Sequence, residues 1–134
     1  MTIQFHMIYG RPAIYRTGPG GEVCLAWNRA RARFEDDPEA LADLLGGGSD
    51  THRVDAPGIR LGIARMLARH EGTLPELAAD LDRVITLDND AIRNRRRLSP
   101  EEVAARQEAA ERAVRTKAAN DDFGLSPELL REIL

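Results

Sequence analysis

One cysteine, one lysine and no apolar run of membrane-spanning length are what this 134-residue sequence has least of. Cys24 has no second cysteine to bridge to, so stability must come from a core, which a chain of this length can bury without covalent staples. A lone thiol also suits a reducing compartment. No stretch approaches the roughly 20 apolar residues of a membrane span, and Met1 to Gly20 lacks the charged-then-apolar order of a secretory signal. The expectation is a cytoplasmic protein with no membrane partner.

Catalytic signatures are missing too. There is no Gly-x-Ser-x-Gly, Cys-x-x-Cys or His-Glu-x-x-His. The glycine clusters are not phosphate loops: Gly18 to Gly21 leads into a strand, and Gly46 to Gly48 lacks the Gly-Lys-Ser/Thr ending. His6, His52 and His70 share no metal-ligand spacing with one another or with Cys24. Asp50 and His52 form the kind of acid–base pair that polar loops contain by chance. No enzyme, cofactor or metal site is therefore expected.

What is present is a soluble, globular balance of 43% hydrophobic and 31% charged residues. The net charge of −3 argues against a surface that binds polyanions all round, but charge falls in blocks. Met1 to Glu35 carries +3, Asp36 to Asp50 −5 and Ala91 to Arg97 +4. Lys117 is the one lysine, and Arg beside abundant Ala is what a GC-rich bacterial or phage coding sequence produces, so it is not read as chemical selection.

The fold class expected is α+β, a short N-terminal three-stranded antiparallel sheet followed by a helical bundle with a long helical hairpin. Ile3, Phe5, Met7 and Tyr9 keep a strand's period of two; Gly10-Arg11-Pro12 turns the chain; Ala13 to Thr17 and Glu22 to Trp27 are the next strands. Trp27 and Phe5 are the candidates for contact with covering helices, and Asn28 to Phe34 leads out of the sheet. Pro38 to Leu45 is a short helix with Leu41, Leu44 and Leu45 on one face. Residues 1–45 thus form the meander and short helix, 46–56 a Gly-rich linker, 57–120 the bundle and 121–134 a tail helix, together one compact unit.

The longest single period runs from Thr73 to Leu98, where Leu74, Leu77, Leu81, Val84, Ile85, Ala91, Ile92 and Leu98 share a helical stripe. Thr73 and Glu76 have capping-box spacing. Before it, Asp55 caps a helix to His70 with Ile59, Ile63, Met66 and Leu67 inward, and the two fold back as a tight hairpin. After it, Ser99 and Glu102 repeat the capping box for a helix to Asn120, braced by Glu102–Arg106, Glu108–Arg112 and Glu111–Arg115. Its weakly apolar inward face is Val103, Gln107, Ala110 and Val114. Ser126 and Pro127 open a last helix with Leu129, Leu130, Ile133 and Leu134 on one side.

Two constellations stand out. Asp88 and Arg95 fall inside the apolar stripe, where unpaired charge is costly. Either the helix breaks between Thr86 and Asn89 with Asp88 as a cap, or the two form a buried register-setting pair, or they belong to a partner site. Arg93, Arg95, Arg96 and Arg97 suggest phosphate contacts, but on a helix they point in at least three directions and acids flank them. A helix-turn-helix over Leu74 to Arg97 is a weak fit, because the spacing from Ala78 to Ile92 exceeds that motif's tight turn.

The function expected is that of a small non-enzymatic intracellular protein, a regulatory or accessory factor from a bacterium, phage or mobile element, acting on another protein or a second copy of itself. The candidate contact residues are Asp88, Arg95, Leu129, Leu130, Ile133 and Leu134. The alternative is a nucleic-acid-binding regulator using Arg93, Arg95, Arg96 and Arg97, with Arg29, Arg31 and Arg33 as candidate companions.

Overall fold

Two residues reverse the first strand. Tyr9 and Gly10 both take positive φ, 49° and 77°. Consecutive left-handed residues match the twist of paired strands, and here they join β1 (Thr2–Ile8) to β2 (Arg11–Gly18). β3 (Gly21–Asn28) sets Leu25 opposite Ile14, and β4 (Arg33–Asp36) sets Phe34 opposite Trp27. β5 (Thr51–Val54) returns to the far side of β1, with Val54 opposite Phe5. The computed structural model describes residues 1–48, 50–70, 72 and 74–134, and its sheet is fully antiparallel in the order β4-β3-β2-β1-β5.

The sheet therefore has five strands where the sequence pattern led us to expect three. β4 and β5 are four residues each, Arg-Phe-Glu-Asp and Thr-His-Arg-Val, too short and too charged to display an alternation of their own. The stretch after Asn28 folds back instead of leaving: the Asn28 side chain accepts from the Ala30 and Arg31 N–H groups and so builds the β3–β4 turn. β5 likewise lies inside the segment expected to be a linker.

Alternation sends side chains to two cores. On one face Ile8, Ala13, Cys24 and Ala26 meet Ala40, Leu41 and Leu44 of α1 (Pro38–Leu45), which Asp37 caps through the Ala40 N–H. On the other, Ile14, Trp27 and Phe34 lie under the remaining helices. α2 (Ala56–Arg69) begins at the Asp55 cap and buries the four apolar residues expected of it.

The central rod is shorter than its sequence period. A 3₁₀ turn at Pro75–Leu77 precedes α3 (Ala78–Arg93), which runs unbroken through 86–89, so Asp88 caps nothing. Arg95, at φ 49°, turns the chain after α3, leaving Leu98 outside the helix. Leu77, Leu81 and Val84 are buried, but Ile92 is 76% exposed. The Thr73–Glu76 capping box falls on Thr73, outside the described residues.

α4 (Pro100–Ala118) carries the Ser99–Glu102 capping box and buries Ala109, Ala110, Ala113 and Val114. Val103, expected inward, is exposed. The tail then docks. Asp121 and Asp122 accept from the Phe123 and Gly124 N–H groups, and the Phe123 carbonyl accepts from the Phe34 N–H at 2.8 Å. A Cβ on Gly124 would stand 2.6 Å from the Phe34 carbonyl oxygen, so only glycine fits there. Phe123 joins Trp27 and Phe34 in one aromatic cluster, and α5 (Pro127–Ile133) buries Leu129 and Ile133. Among the described residues no helix is long and apolar enough to cross a membrane.

Candidate partner-binding groove

Asp88 faces two neighbouring helices. Its carboxylate accepts from Arg65 of α2 at 2.8 and 3.0 Å and from Arg106 of α4 at 2.7 Å. Burial works to raise its pKa, but the hydrogen bonds and charges of Arg65, and then of Arg106, outweigh it and hold the carboxyl below its ordinary value. Asp88 is therefore paired across three helices and not with Arg95.

This node forms the floor of a groove of about 530 Å³ between α2, α3 and the β1–β2 turn. Met7, Met66, Ile85 and Ile92 supply apolar lining; Arg65, Arg69, Arg106 and His52 supply basic groups. A second recess of about 330 Å³ shares Met66 and Arg69 with it and adds Arg29, His70 and the edge of Trp27. Arg29 donates to the Tyr9 carbonyl, while Arg69 is exposed and has no ion-pair partner among the described residues.

The four clustered arginines do not act together. Arg96 is held by Asp90 and Glu102, and that contact, followed by the Ser99 N–H, pulls the Glu102 carboxyl down to about 2. Arg93, Arg95 and Arg97 are exposed at the α3–α4 turn and have no ion pair among the described residues. Ala78, Leu81 and Ile92 all lie on the one continuous helix α3, which ends at Arg93, and the next helix starts at Pro100, so the helix-turn-helix reading fails.

The tail residues divide as well. Leu129 and Ile133 are core, Leu130 is half-buried and Leu134 is exposed. Arg60 adds a bond to the Ile133 carbonyl at 3.0 Å and pairs with Glu111, tying α5 to α2 and α4.

Nothing in the sequence marks Arg69, Met7 or Met66 as groove residues, and Arg29 stands out there only as a companion of the arginine cluster. Met66 looks like any core residue of an amphipathic helix, and Arg29 reaches the site from a turn that had been read as an exit from the sheet. On the opposite sheet face, His6 is buried beside Gln4 and edge-on to Tyr15. Burial, and then the Arg53 charge, lowers its pKa. Comparison with known proteins gives no match for this chain among family models, curated proteins or solved structures.

Proposed function

We propose that this chain is a small non-enzymatic accessory or regulatory protein that works by binding another protein, with a second copy of itself included among the partners to test. One observation carries the reading: the groove over the Asp88 node combines an ion-paired floor with an aliphatic side chain, Ile92, that is 76% exposed although it belongs to a helix that buries Leu81 and Val84. A single exposed aliphatic residue is ordinary on a soluble protein, but one at the rim of a concave, mixed apolar and basic surface is what a docking site presents. Burial of Leu129 and Ile133 moves the candidate contact away from the tail and onto this groove.

The test is site-specific photo-crosslinking in the producing cells. A benzophenone side chain replacing Ile92 should yield one discrete protein adduct, and the same group replacing Arg131 on α5 should not. No adduct from position 92, together with a strict monomer by light scattering, would defeat the reading.

A second reading has its own support. Arg93, Arg95 and Arg97 project from one turn with no ion pair among the described residues, an arrangement that could contact phosphates. It requires salt-steep retardation of DNA or RNA that disappears when all three become Ala.

A further inference from the structure

We infer that the groove's occupant is a peptide segment of a partner protein in which acidic residues are interleaved with aliphatic ones. This rests on the protein-binding reading above and deepens it. The two confluent recesses bring Arg29, Arg65, Arg69 and Arg106 together against a single carboxylate, Asp88, among the described lining residues. A local surplus of three positive charges in a chain whose net charge is −3 is a concentrated electrostatic preference for an anionic ligand. Asp88 engages Arg65 and Arg106, while Arg69 stands at the junction of the recesses with its planar donor fork free of ion pairs among the described residues. Guanidinium forks match carboxylates with two parallel hydrogen bonds.

The apolar lining decides which kind of anion fits. Met7 and Met66 are unbranched and adapt to varied aliphatic shapes, and Ile92 adds a hydrophobic rim. Single-stranded nucleic acid would need exposed rings on which bases stack. Trp27, the one Trp, Tyr or Phe among the described residues lining either recess, is 1% exposed and already surrounded by Phe34 and Phe123, so the imidazoles of His52 and His70 are the smaller rings left there. Basic forks beside methionines and isoleucine, with no exposed Trp, Tyr or Phe among the described lining residues, suit a carboxylate-bearing peptide.

The experiment uses the full chain and a random 12-residue peptide library displayed on phage. Enriched peptides, resynthesised with a fluorophore, should carry Asp or Glu interleaved with Leu, Ile or Met. Their affinity should fall about tenfold or more in Arg69→Glu and in Ile92→Asp, both exposed positions, and stay unchanged in Arg131→Glu. Thermal melts of the variants confirm that each remains folded. Enrichment of basic or aromatic peptides, no enrichment, or binding indifferent to both groove substitutions would overturn the assignment. So would tighter binding of a fluorescent oligothymidylate with the same sensitivity to Arg69→Glu. A protein adduct from position 92 beside a failed peptide selection would overturn this inference alone and leave protein binding standing; loss of both removes both.

Discussion

Asp88 shows how one residue can be conspicuous in a sequence while its partners stay hidden. Its place in an apolar stripe marked it as unusual, but Arg65 and Arg106 lie 23 and 18 residues away on other helices, beyond any local rule. Removing the charge strands two guanidiniums whose side chains are only 34% and 18% exposed. Breaking a fully buried pair costs about 3–5 kcal/mol, and this wetter node should cost about 2 kcal/mol in Asp88→Asn, measured by urea unfolding at pH 7. The acid dependence has a definite sign. A carboxyl held below its unfolded value of about 3.9 contributes stability above that pH and loses it as pH falls through the folded pKa. The gap between wild type and Asp88→Asn should therefore narrow below about pH 4.

Among the elements, α4 illustrates competition between local and tertiary partners. Of three Glu–Arg pairs at i,i+4 spacing, Glu108–Arg112 forms, while Glu102 goes to Arg96, Arg106 to Asp88 and Glu111 to Arg60. A solvated helical pair is worth about 0.3–0.5 kcal/mol, less than a partly buried bond to a neighbouring element can supply. α1 covers its sheet face with few side chains, and beneath it Cys24 is fully buried. Burial, and then the Asp37 charge, pushes that thiol up to about 11. Wild-type Cys24 should react slowly with a thiol reagent at pH 8. Leu41→Ala, by loosening α1, should speed labelling about tenfold, the equivalent of about 1.4 kcal/mol of easier local opening. An unchanged rate would mean that Cys24 is reached only by global unfolding.

For the whole molecule, closure depends on the last dozen residues meeting β4. The Phe34–Phe123 backbone bond and the Trp27, Phe34 and Phe123 cluster join the two ends of the chain in one core. Gly124→Ala would force a Cβ both into a left-handed conformation, φ 76°, and into the Phe34 carbonyl. It should cost about 2 kcal/mol or more and lower the thermal midpoint, with near-ultraviolet circular dichroism reporting loosened aromatics. An unshifted melting curve would mean that the tail docks independently of this contact.

Helix starts and one periodic face were readable from residues alone, because they depend on neighbours within four positions: the Asp55, Ser99 and Ser126 caps, the extent of α1 and the buried stripe of α2 lie where those local rules put them. Leu45, Ile92 and Val103, assigned to apolar faces by the same rules, are exposed. Tertiary structure alone decided the count of strands, the partners of Asp88, the burial of the tail and the existence of the groove. Four-residue strands such as β4 and β5 carry too little pattern of their own and are held by a ladder to a distant strand. A charged side chain, in the same way, takes whichever opposite charge the packed helices bring within reach, and that choice is made in space after the chain has folded.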